Sequence, residues 1–60
     1  LSRDEKRNVQ IALSALGYDT FGADGLMGPN TAAALWRYQR DQGHVADAYL
    51  SRALWAELAG

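Results

Sequence analysis

The sequence contains no cysteine. Disulfide stapling, cysteine-ligated zinc and a cysteine nucleophile are therefore excluded. Compartment stays open, because extracytoplasmic domains can lack cysteine as easily as cytosolic ones. There is a single histidine, and no spacing of acidic residues marks a catalytic or metal-binding pair. An enzyme also needs a cleft, which 60 residues hardly provide. The chain thus reads as a non-enzyme without cofactor or metal. No apolar run approaches the length of a membrane span, so no membrane insertion is expected. The polar start, Leu1-Ser2-Arg3-Asp4-Glu5-Lys6, shows no signal peptide. The expectation is a module of a longer protein, or a chain whose signal was removed. Charge of one sign is also missing: six basic and seven acidic residues leave a net charge of -1. With no basic face, a nucleic-acid partner is not expected.

What remains is a globular composition, 48% hydrophobic and 22% charged, in a chain long enough for one domain over residues 1–60 and only a thin core. Ser2 and Glu5 are spaced as a capping box. Val9, Ala12, Leu13 and Leu16 then recur on one helical face, widened by Ile11 and Ala15, and Gly17 supplies the stop. This predicts a first helix over about residues 3–16. Residues 17–28 hold four glycines and cannot form a helix interior. Tyr18, Phe21, Leu26 and Met27 are the candidate anchors of this loop, with a short extended piece around Leu26-Met27. Pro29 suits a first helical turn and opens a second helix to Asp41 or Gln42, closed by Gly43. Ser51 is a plausible N-cap for a third helix over roughly residues 52–59, with Leu54, Trp55 and Leu58 facing the core. The fold class is all-α: a small three-helix bundle with a long ordered loop between helices 1 and 2. The two halves echo each other, each running helix, glycine stop, aspartate turn, apolar pair, helix start.

Gln10 and Gln39 each stand beside an apolar residue on a helix. A half-buried amide needs partners, and tying the loops to the helices would supply them. Solvent exposure and ligand contact are the other readings.

The run Asp24-Gly25-Leu26-Met27-Gly28-Pro29-Asn30-Thr31 resembles the signature of the peptidoglycan-binding domain family. Val9-Gln10, Leu13 and Leu16-Gly17-Tyr18 before it match the family's first helix. Tyr38-Gln39 and Asp47-Ala48-Tyr49-Leu50-Ser51, then Trp55 and Leu58, match its second half. Met27 stands where an aromatic is usual. Ala48 replaces the usual glycine, so the second turn is not expected to use a positive φ. The resemblance covers about residues 7–58. It implies a monomeric, non-catalytic module that holds muramyl-peptide or glycan material in the periplasm or cell wall and brings an attached effector or enzyme there. A protein-docking role, for instance toward a neighbouring domain of the parent protein, is the alternative.

The ligand-binding candidates are Tyr18, Asp24, Gly28, Asn30, Thr31, Trp36 and Arg37. Gly28 to Thr31 form a helix start whose free N–H groups suit a carboxylate, although the same residues would also simply shape the turn into the helix. Asp24 is read first as a turn acceptor and second as a ligand contact. Trp36 lies about 100° around the helix from Leu35, so it is either a partly exposed platform or extra core. Arg37 is a solvated cation with some prospect of meeting a wall carboxylate. Trp55 is read as core. A groove lined by Tyr18, Asn30, Thr31 and an arginine would favour wall binding. One apolar patch of Trp36, Phe21 and Tyr49 would favour docking.

Overall fold

The first helix starts where local chemistry tells it to. In the computed structural model, which describes all 60 residues, the Ser2 hydroxyl accepts the Glu5 N–H at 3.1 Å and the Glu5 carboxylate accepts the Ser2 N–H at 2.8 Å. This reciprocal capping box opens α1, Arg3–Ala15. Pro29 occupies the first turn of α2, Pro29–Asp41, behind Gly28 as N-cap. Ser51 caps α3, Arg52–Ala59, its hydroxyl accepting the Leu54 N–H at 3.1 Å.

Two helices end in the same way. Gly17 and Gly43 adopt positive φ of 96° and 77°. The residue after each then donates its N–H back by five positions, Tyr18 to Leu13 and His44 to Gln39, both at 2.8 Å. These 6→1 closures satisfy carbonyls that a helix end leaves open.

The buried apolar core is small: Val9, Leu13, Ala34, Leu35, Tyr38 and Leu54. Tyr18, Leu50, Trp55, Leu58 and Ala59 pack on its margin. The helix α1 is central, with both α2 and α3 against it. Trp55 is thus half-buried at the rim of the core rather than inside it, and its indole N–H is buried without a partner.

The three helices and the long loop are as the sequence implies, but the loop is not anchored as expected. Phe21, Leu26 and Met27 are exposed by 73%, 55% and 37%, and no strand forms around Leu26-Met27. Of the four apolar candidates only Tyr18 packs on the core. Polar groups do the anchoring instead, chiefly Gln10 and Thr20, which are 1% and 4% exposed. Along α1 the apolar stripe is also narrower than its pattern suggests, with Ile11 and Leu16 exposed. A 60-residue chain has too little second layer to cover them.

Candidate functional site

A buried glutamine is the centre of the long loop's attachment to α1, with Arg3 and Arg7 donating to the Asp24 and Ala23 carbonyls at its edge, at 2.7 and 3.2 Å. Gln10 projects from α1 and its amide oxygen accepts the Gly25 N–H at 2.7 Å. Its amide nitrogen donates to the Leu26 carbonyl and the Thr31 hydroxyl, both at 2.9 Å, and to Asp24 at 3.3 Å. Asp24 also accepts the Leu26 N–H at 2.9 Å, closing an aspartate turn. These bonds hold the Asp24 carboxyl below its usual range, the backbone bond from Leu26 contributing most and the Gln10 amide next. Gly25, with φ of 80°, lies so close to α1 that a Cβ would fall 2.5 Å from the Arg3 carbonyl oxygen.

The second half repeats the device. Gln39 projects from α2, and its amide oxygen accepts the Ala48 and Asp47 N–H groups at 2.8 and 3.2 Å. Its nitrogen donates to Asp47 at 3.1 Å and to the Tyr49 carbonyl at 3.2 Å, while Asp47 accepts the Tyr49 N–H at 2.9 Å. Ala48 sits where Gly25 sits in the first half, and it takes φ of 57°. The expectation that alanine would keep this turn out of positive φ is therefore overturned. The glutamine and aspartate bonds impose the left-handed conformation, and the alanine methyl bears a cost of about 1 kcal/mol. Gly28 and Ser51, the two helix N-caps, each follow their aspartate by four residues, so the two segments align without a gap.

Each lock borders a depression in the surface. The first, of about 170 Å³, is lined by Thr20, Phe21, Leu26 and the start of α2 from Gly28 to Thr31, together with Gln10 and Asp24. Gly28 makes no side-chain cap. The Asn30 and Thr31 N–H groups find no intramolecular acceptor, so two donors remain at the positive end of the helix. Phe21 stands at this depression in a left-handed conformation, φ 58°, with its N–H bonded to Asp19 at 2.8 Å. The second depression, of about 260 Å³, lies between Gln39, the segment His44 to Tyr49, and α3 from Ser51 to Glu57.

Of the seven candidate residues, Asp24, Gly28, Asn30 and Thr31 are brought together at the first depression. Within it, the Thr31 hydroxyl and one Asp24 oxygen are already engaged by Gln10. Tyr18 is elsewhere: its hydroxyl donates to Asp41 at 2.7 Å and its ring meets Tyr38 edge-on at 5.7 Å. Asp41 is ten residues beyond Thr31 on α2, roughly 15 Å along the axis, so Tyr18 and Thr31 do not share a groove. Trp36 is 42% exposed, with the Arg40 guanidinium 5.3 Å from its ring centre. Arg37 is half-buried. Neither lines a depression. Phe21 and Tyr49 border different depressions and Trp36 borders none, so the three do not gather in one of them.

Sequence reasoning missed Thr20 and Leu26 at the first site and nearly all of the second. His44 is exposed and meets the Glu57 carboxylate at 3.0 Å, which also accepts the Tyr38 hydroxyl at 2.5 Å. The echo between the two halves was the available signal, since it places a second aspartate lock beside a second helix start.

The chain is thus a small all-α module with two glutamine-locked turns, each beside a depression. The family model described as "Putative peptidoglycan binding domain" matches residues 2–58. The chain belongs to this family. No solved structure matches it at a significant level.

Proposed function

We propose that this module holds bacterial peptidoglycan without catalysis and keeps an attached effector or enzyme at the wall, in the periplasm or cell wall. The observation that carries the reading is the first depression: in a chain of this family, it joins an exposed aromatic ring to two unpaired N–H donors. Phe21 is not needed by the core and is held in a costly backbone conformation. A ring so placed suits the apolar face of a sugar or a peptide side chain. The Asn30 and Thr31 N–H groups suit a carboxylate, of the kind carried by muramic acid and by stem peptides. The residues assigned to recognition are Phe21, Gly28, Asn30 and Thr31, with Asp24 and Gln10 holding the frame.

Co-sedimentation with purified insoluble murein tests this. The wild type is expected in the pellet, and Phe21→Ala should shift it toward the supernatant without loss of helicity. Trp36→Ala, which lies away from both depressions, should sediment like wild type. A wild-type domain that stays in the supernatant across salt and pH would refute the reading.

A further inference from the structure

We infer that a third depression, where the two halves of the repeat meet, is a docking site for the C-terminal residue of a polypeptide partner, one with a large aliphatic side chain and a free carboxylate. The depression measures about 260 Å³. Met27 and Leu50, each three residues after its aspartate, line it together with Leu1, Ala48 and Tyr49. Lys6, from α1, is the sole charged residue in its lining. The fold does not account for these apolar residues. Leu1, Met27 and Tyr49 are 38%, 37% and 69% exposed, and none belongs to the core. Ala48 is held at φ 57° at a position whose counterpart is Gly25. Glycine would avoid the cost of the methyl, so the alanine is kept at this depression against a backbone strain.

Lys6 decides the chemistry of the occupant. It is half-buried, and its ammonium forms no ion pair within the chain. The adjacent Glu5 carboxylate is taken by Arg52 and by the Ser2 N–H. No acidic residue lines the depression. An unneutralised cation beside an apolar surface is complementary to a carboxylate attached to an apolar group. The last residue of a polypeptide carries its side chain and its carboxylate on one carbon, so it meets both features within a single depression of this size. A sugar ring matches less well, because the only polar side-chain groups of the lining are the Lys6 ammonium and the Tyr49 hydroxyl. The first depression shares no residue with this one, so the wall-binding reading does not enter the assignment.

Chemical-shift titration of the 15N-labelled protein tests this. The probes are N-acetyl-leucine, which reproduces a C-terminal residue, its methylamide, which lacks the carboxylate, N-acetylglycine, which lacks the side chain, and octanoate. Amide shifts at Lys6, Met27, Ala48 and Leu50 are expected with N-acetyl-leucine and should be weaker with the other three. Lys6→Gln should weaken the N-acetyl-leucine response about twofold to fivefold. Ala48→Gly should weaken it about twofold to fourfold while raising the melting temperature, so that lost binding is not lost fold. Absence of shifts overturns the assignment, as do equal shifts with the methylamide or with N-acetylglycine. An equal or stronger response to octanoate makes the occupant an acyl chain and overturns the peptide end. Shifts at these residues that depend on protein concentration without any probe make it a second copy of this chain, which overturns the assignment as well.

Discussion

Replacing Gln10 by alanine should bring this domain close to the edge of unfolding. The side chain is 1% exposed and bonds to four groups. Three of those bonds are 2.7 to 2.9 Å long and reach Gly25, Leu26 and Thr31. A net contribution of about 1 kcal/mol each gives about 3 kcal/mol, and the buried Gly25 N–H left without an acceptor adds about 1 more. A 60-residue domain commands only about 3–9 kcal/mol in total. Urea denaturation followed by circular dichroism should therefore show the midpoint of Gln10→Ala lowered by the equivalent of about 4 kcal/mol, which leaves the variant unfolded at 25 °C if the wild type lies at the low end of that range. Gln39→Ala is the internal comparison. Its bonds are longer, from 2.8 to 3.2 Å, and only partly buried, so a loss of about 2 kcal/mol is expected. Asn8→Ala, at an exposed position of the same helix, should change stability by less than about 0.5 kcal/mol. If Gln10→Ala cost under about 1 kcal/mol, or no more than Gln39→Ala, the claim that one buried amide holds the long loop would be refuted.

The paired turns should respond oppositely to exchange of glycine and alanine: Gly25→Ala loses at least about 2 kcal/mol, because its methyl would strike Arg3 and its φ is 80°, whereas Ala48→Gly gains about 0.5–1 kcal/mol by relieving φ of 57°; thermal melts of both variants check this. Glu5, Asp24, Asp41 and Glu57 all have carboxyls held below their ordinary range, so their contribution is full above the unfolded values of 4.5 and 3.8 and is lost as pH falls through the folded ones. Urea midpoints measured from pH 7 downward should fall below pH 4.5, the ordinary value for glutamate, and less steeply in Glu57→Gln, whose wild-type carboxyl is held down by the Tyr38 and His44 bonds. At the alkaline end, burial first and then the Glu57 bond push the Tyr38 phenol up to about 12, so its stabilising contribution is present below 10 and lost between 10 and about 12, visible as a late phase of phenolate absorbance. Gly28→Asp should separate stability from binding: the position has open space for a Cβ, an N-cap carboxylate adds a few tenths of a kcal/mol, and the same carboxylate occupies the N–H groups assigned to ligand, so murein retention should drop while the melting temperature rises.

Helix boundaries were legible because their determinants are local. Ser2 with Glu5, Pro29, Ser51, Gly17 and Gly43 act on their own turn of backbone, and each does in the structure what its residue type dictates. The role of Gln10 and Gln39 was legible for a different reason, since an amide among buried apolar neighbours has few ways of being satisfied. The loop anchors were not legible. Apolar character says that burial would be favourable, but not that a surface is available, and around Phe21 and Leu26 none is. Ala48 was misjudged because intrinsic φ preference is worth only about 1 kcal/mol, less than the four bonds Gln39 makes around it. The second depression depends on His44, Tyr49 and Glu57 meeting from separate segments, and no spacing along the chain reports that.

Repetition within so short a chain has a functional consequence. The glutamine-aspartate lock places a backbone turn and a helix start in the same relation twice, and it does so with atoms that a ligand does not need. The residues around each lock are then free to differ at little cost to the fold. At the first, the cap is a glycine and the donors stay open. At the second, the cap is a serine that closes one of them, and carboxylates stand nearby. The same divergence explains why motif residues such as Asp24, Gly25, Gln10 and Thr31 locate the family so well while contributing few free atoms to recognition. They specify the frame, whereas Phe21 and Asn30, the positions proposed for recognition, are exposed beside it and can vary without loss of the fold.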